Sequence, residues 1–201
     1  MQMRSLLNLE SPADAQLWSI ILTCFFALLR ISNVTAPFVT SWDPSKVIKR
    51  SDIAFTTDGC IITIRWSKTI QFKERLFRAA LPRWGNDLCP TAALLHFLAT
   101  SGPIPQDAPA WSLSTLDGTL AVPTPSSIRP RLQSLIVAIG LPPADYNTHS
   151  LRRSGASHLL ASGVPIEVIK TLGDWKSDSV FKYLKPTPSQ RLALANRAFN
   201  Q

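Results

Sequence analysis

The hydrophobic pattern divides the chain into helical and extended stretches. Apolar residues dominate every face of residues 13–31, which predicts a deeply buried helix. Ser11 stands as its N-cap, Pro12 in its first turn and Asp14 near the positive end of its dipole. Residues 33–50, with Pro37 and Pro44, read as irregular. Three strand-like runs follow. Ile53–Thr56 leads into a turn at Asp58-Gly59, a strong hairpin signal. Cys60–Trp66 is β-branched and aromatic, and Leu76–Leu81 completes a meander. A helix is expected from about Pro90 to Thr100. Residues 101–123, rich in proline, read as a long loop with room for one short strand. Thr124-Pro125 starts a helix that Gly140 ends, and Pro142-Pro143 form a stiff link. The last third reads as helical, over 149–162, 165–172, 178–184 and 189–199. Gly163, Gly173 and Pro186 separate these helices, and the last has Leu192, Leu194, Ala195 and Phe199 as its apolar set. The expected class is α+β and mainly helical, a bundle around a small three-stranded antiparallel sheet.

The 201 residues make about one domain, and 45% hydrophobic with 17% charged residues is a globular composition. The longest apolar stretch, Trp18 to Leu29, is broken by Ser19 and Thr23 and ends on Arg30. It reads as a buried helix, so no membrane partner is expected. No N-terminal signal pattern is present, which argues against secretion. Charge adds the first positive clue. Lys+Arg is 21 against Asp+Glu 13, a formal +8, which favours a polyanionic partner. The excess concentrates at Arg65, Lys68, Lys73, Arg75, Arg78 and Arg83, and again after His149. Cys24, Cys60 and Cys89 lack any zinc or redox spacing, and Cys24 and Cys60 read as inert core thiols.

Two segments concentrate the chemistry. One is His149-Ser-Leu-Arg152-Arg-Ser-Gly-Ala-Ser, with His149 and Arg152 on one face of a helix start. The other is Leu172-Gly-Asp-Trp175-Lys-Ser-Asp-Ser-Val-Phe-Lys-Tyr183-Leu. Upstream stand Ala27-Leu-Leu-Arg30-Ile-Ser-Asn33 and Arg65-Trp-Ser-Lys68-Thr. Together these resemble the catalytic domain of the tyrosine recombinase (phage integrase) family. That family has an arginine at the end of an early buried helix and a lysine in a β-hairpin. A His-x-x-Arg, a His or Trp after Leu-Gly, and a tyrosine nucleophile follow. The resemblance spans residues 13–184 and is nearest in wording to recombinases of eukaryotic mobile elements.

The resemblance implies a catalytic set of Arg30, Lys68, His149, Arg152, Trp175 and Tyr183. Asn33 departs from the glutamate common after the first arginine. Either Asp174 or Trp175 can fill the His/Trp position. Trp175 is favoured, because an indole N–H donates to a phosphate oxygen and a carboxylate repels it. The chemistry is coherent with that set. Phosphodiester cleavage needs a nucleophile, an acid for the leaving 5′-oxygen, and compensation for charge on five-coordinate phosphorus. The acidic residues are scattered and the three histidines do not cluster, so no metal and no other cofactor is expected. Arg30 and Arg152 can each grip phosphate oxygens bidentately. His149 suits a general base for Tyr183, and Lys68 a general acid for the 5′-hydroxyl. A phosphotyrosyl link conserves the bond energy, so religation needs no ATP. Tyr146 is the one rival nucleophile, while His96 and His158 read as packed or partly exposed helix residues.

Double-stranded DNA is the expected partner. Lys73, Arg75, Arg78, Arg129, Arg131, Arg153 and Lys176 are the candidate backbone contacts. The chain reads as a single catalytic domain over 1–201, without the family's N-terminal core-binding domain. The segment 185–201 packs either on its own domain or on a neighbouring protomer of a homo-oligomer. Nuclear localisation follows from the DNA substrate and the eukaryotic resemblance. The alternatives are an inert DNA-binding or interaction module of recombinase descent and a type IB topoisomerase.

Overall fold

The computed structural model describes residues 2–67, 70, 75–147, 149–177, 180–181 and 188–199, the side chains of 190, 194 and 197–199 excepted. Lys68, Lys73, Tyr183 and most of the expected helix 178–184 lie outside the described residues. A short helix α1 (Gln2–Ser5) precedes the central helix α2 (Pro12–Phe26), which is buried along most of its length. Ser11 is the α2 N-cap but makes no side-chain cap bond. Asp14 instead accepts from the Asn8 N–H at 3.0 Å.

The expected 13–31 helix stops at Phe26, and a separate helix α3 (Ile31–Val34) follows. The break is made by Leu28, fully buried and left-handed at φ 52°. Its neighbours Ala27 and Leu29 point into the main core, whereas Leu28 joins a second core with Ala156, Ile169, Trp175 and Val180. The left-handed turn is what lets one segment feed both cores. It costs about 1–2 kcal/mol for a residue with a Cβ. Burying a leucine side chain contributes about 1.5–3 kcal/mol in the other direction.

Strands β1 (Ile53–Phe55), β2 (Gly59–Ile64) and β3 (Phe77–Pro82) form the antiparallel meander, in order β1-β2-β3. Ile62 faces Ile53 on one side and Ala79 on the other. Gly59 has φ 157°, and a Cβ there would overlap the Leu81 carbonyl. Helix α4 (Pro90–Thr100) packs along α2, its N-terminus capped by the Cys89 sulfur, which accepts from the Ala92 N–H. Burial pushes the Cys60 thiol up to about 11 and raises that of Cys24 further, against the nearby Arg152 charge.

The 101–123 loop contains two short strands rather than one, β4 (Leu113–Ser114) paired with β5 (Leu120–Ala121). Trp111 pins this loop to α2: its Nε1 donates to Ser19 Oγ at 2.9 Å, and its carbonyl accepts from Gln16 Nε2 at 2.7 Å. The irregular 33–50 stretch runs into a single 3₁₀ turn at Arg50–Asp52. Helix α5 (Pro125–Ala138) carries Thr124 as N-cap, and its Thr124 hydroxyl accepts from the Ser127 N–H. Helices α6 (Ser150–Ala161), α7 (Ile166–Leu172) and α8 (Pro188–Phe199) complete the order. No described helix is long and apolar enough to cross a membrane.

Candidate active site

Helix α6 sets the site because it lies unusually close to the end of α2. Gly155 permits this: a Cβ there would overlap the Phe25 carbonyl oxygen and meet Leu28 Cδ2 at 2.8 Å. Residues 152 and 155 share a helix face, so the close approach also brings Arg152 to the α2–α3 break. Arg152 is only 4% exposed. One of its Nη atoms donates to the Leu28 carbonyl, and the other to the Gly173 carbonyl at 2.6 Å. Its guanidinium stacks 3.8 Å from the centroid of the Trp175 ring. The two main-chain carbonyls thus adjoin or belong to the two residues with side chains that are left-handed among the described residues, Leu28 and Asp174.

Arg30 is half-buried and is the N-cap of α3 rather than the last residue of a long helix. Asn33 holds its backbone: Oδ1 accepts from the Arg30 N–H at 3.0 Å, and the Asn33 N–H donates to the Arg30 carbonyl at 2.8 Å. The amide at 33 therefore fixes the main chain beneath Arg30.

Helix α7 ends in a Schellman turn. The Trp175 N–H donates to the Lys170 carbonyl at 2.9 Å, and the Asp174 N–H to the Thr171 carbonyl at 3.2 Å. The left-handed position of that turn, usually glycine, is Asp174 at φ 54°. Gly173 sits one residue earlier, where a Cβ would fall inside the Trp175 ring. The Asp174 carboxylate accepts from Arg75 Nη2 at 2.5 Å, which ties the approach to β3 to the end of α7. Trp175 is 7% exposed and belongs to the second core.

These elements meet at one crevice. Arg30 and Asn33 line it from α3, Ser67 from beyond β2, Arg152 from α6, and Gly173 and Asp174 from the end of α7. Ser67 precedes Lys68 in sequence and exchanges backbone hydrogen bonds with Ile70. His149 stands exposed at the N-cap of α6, its N–H donating to Asn147 Oδ1 at 2.8 Å. Beside the crevice a groove of about 640 Å³ carries Arg75, Arg78, Lys170 and Lys176 against Glu167 and Asp174.

The expected DNA contacts divide into two kinds. Arg129, Arg153 and Lys176 are exposed. Arg131 instead donates to the Ala13 carbonyl at 2.9 Å and to Asp14 at 2.7 Å, joining α5 to the start of α2. Arg75 holds Asp174, as described. Sequence reasoning missed the Arg75–Asp174 pair and the part played by Gly155. The second had a signal, since a glycine inside a helix costs about 1 kcal/mol relative to alanine and points to close packing.

No family model and no curated protein matches this sequence. Solved structures do match. The XerH site-specific recombinase bound to palindromic difH substrate, a post-cleavage complex, superposes with a TM-score of 0.69 at 15% identity, over 99% of this chain and 49% of that one. The pre-cleavage complex of XerH with difH gives 0.66 at 15% identity, over 99% and 51%. An FLP recombinase–Holliday junction complex gives 0.52 at 15% identity, over 83% and 40%. The chain thus spans about half the length of the XerH chains or less. Helices around a three-stranded antiparallel meander are the architecture these recombinases share with it, and the fold is that of a tyrosine recombinase catalytic domain.

Proposed function

We propose that this chain is the catalytic domain of a tyrosine-type site-specific DNA recombinase. The observation that carries the reading is the convergence of Arg30 and Arg152, remote in sequence, on one crevice beside Ser67 and Gly173. In this reading the two arginines hold the scissile phosphate. The Tyr183 phenol oxygen attacks phosphorus, the bond to the 5′-oxygen breaks, and a 3′-phosphotyrosyl ester forms. His149 takes the phenol proton and Lys68 gives one to the departing 5′-hydroxyl. Trp175 holds the Arg152 guanidinium flat from below. Preorganised donors of this kind contribute roughly 10²–10³ in rate each in other enzymes. The proposal extends to oligomers assembled on DNA, to a mobile element of a eukaryote, and to action in the nucleus.

A second reading, a non-catalytic DNA-binding module, is favoured by one observation: Arg152 is buried and holds two main-chain carbonyls. One experiment separates the two. Duplexes carrying a nick or a 5′-bridging phosphorothiolate are incubated with the chain in EDTA and run on a denaturing gel. A covalent DNA–protein adduct that Tyr183→Phe abolishes is the expected result. DNA binding in a gel shift with no adduct would leave the non-catalytic module.

A further inference from the structure

Arg30 and Asn33 line a second cavity besides the crevice, of about 480 Å³. That size lies within the ~300–1,000 Å³ of ordinary small-molecule sites. Its walls include two aromatic side chains, Trp66 and Phe38. Trp66 is half-buried and lies two residues before Lys68 in sequence. Phe38 is 66% exposed, and Val39 beside it is exposed as well. Lys46 Nζ stands 5.9 Å from the centroid of the Trp66 ring and 3.4 Å from Asp43. Ser32 and Ser41 supply hydroxyls to the lining.

We infer that this cavity takes one unstacked nucleobase of the DNA strand whose phosphate lies at Arg30. The inference rests on the reading of the crevice as a phosphate site. Each part of the lining has a counterpart in a nucleotide. An indole and a phenyl ring offer π-faces on which any base can stack. Arg30 puts positive charge where the flanking phosphates run, and Lys46 offsets the Asp43 carboxylate in the same wall. The hydroxyls and the Asn33 amide can donate to or accept from base edges. An apolar ligand without charge would leave Arg30 and the hydroxyls unmatched, Lys46 being already paired with Asp43. The cavity shares Arg30 with the crevice, so a strand held there presents its neighbouring nucleotide to Trp66. A paired base must leave the helix stack to enter, and an already unpaired base avoids that cost.

The test compares three short fluorescent duplexes by anisotropy titration of the whole chain. One is fully paired, one carries a single unpaired thymidine, and one carries an abasic residue at the same bulge. The duplex with the unpaired thymine is expected to bind on the order of tenfold tighter than the other two. Trp66→Ala is expected to bring all three affinities together, whereas Trp66→Phe keeps most of the preference. Phe38→Ala reduces the preference as well, and urea-unfolding midpoints of both alanine variants equal to the wild type's show that the protein remains folded. Equal binding of the thymine and abasic duplexes by the wild type would overturn the inference, as would a preference that survives Trp66→Ala. If paired DNA still binds and the Tyr183-dependent adduct still forms in those cases, only the base cavity fails. If no duplex binds at all, the phosphate reading of the crevice fails with it.

Discussion

Gly155 decides where Arg152 can stand. A methyl group at this position meets the Phe25 carbonyl, which is helix backbone and has nowhere to go. By propensity alone, Gly155→Ala would stabilise α6 by about 1 kcal/mol. By packing it forces α6 off α2, and overpacking of this kind costs about 1–3 kcal/mol. The packing effect is expected to win. Urea unfolding of Gly155→Ala should show a lower midpoint with an unchanged slope. A variant as stable as the wild type would show that the two helices do not touch at this point. The same displacement carries Arg152 away from the Leu28 and Gly173 carbonyls, so the adduct yield is expected to fall further than the loss of folded protein explains.

At the scale of elements, the end of α7 uses its left-handed position for a charge. Asp174 is strained where glycine would not be, and its carboxylate holds Arg75 at the approach to β3. The pair is partly exposed, 33% for Arg75 and 14% for Asp174, so its worth is at most about 1 kcal/mol. Asp174→Ala loses the pair and keeps the strain, whereas Asp174→Gly loses the pair and relieves the strain. Thermal unfolding should therefore place Asp174→Ala below Asp174→Gly by about 1 kcal/mol. Equal stabilities would mean that residue 174 is not left-handed. This pair was not legible in the sequence, because 99 positions separate its members. The three-stranded meander was legible, because Asp58-Gly59 and the β-branched run after it are local signals. The β4–β5 ribbon was only half legible. Asp117-Gly118 is the same dipeptide, but the strands beside it are two residues long and lack a β-branched run. The end of α2 was hidden for another reason. Residues 25–29 are apolar throughout, so the helical pattern continues past Phe26, and only the second core explains why Leu28 turns the other way. Arg30 and Arg152 were legible through the motifs that carry the family resemblance, but that both line one crevice is a property of the packing of α6 on α2.

For the whole molecule, a formal charge of +8 describes solubility and partners only after the arginines that hold the fold together are set aside. Arg65 pairs with the buried Asp52, Arg50 donates to Ser101 Oγ at 2.6 Å, and Arg131 joins α5 to α2. Arg65 and Arg131 are matched by carboxylates, and Arg50 is held by Ser101 although its buried Nε has no partner among the described residues. Arg78, Arg83, Arg129 and Arg153 are exposed and can reach a polyanion. The distinction has a thermodynamic signature. Each phosphate contact releases condensed counterions, so the slope of log affinity against log salt counts contacts. Arg153 follows Arg152 on α6 but lies on the exposed side of that helix. Arg153→Ala is expected to lower the magnitude of the slope by about one and to leave stability unchanged. Arg131→Ala is expected to do the reverse: the salt slope stays, while unfolding moves to lower urea because Asp14 and the Ala13 carbonyl lose their donor. Titrations of duplex DNA at several salt concentrations, paired with urea unfolding of both variants, measure the two effects side by side. If Arg131→Ala lowers the slope as much as Arg153→Ala does, the DNA surface extends over α5 and the start of α2, and the division between internal struts and exposed contacts fails there.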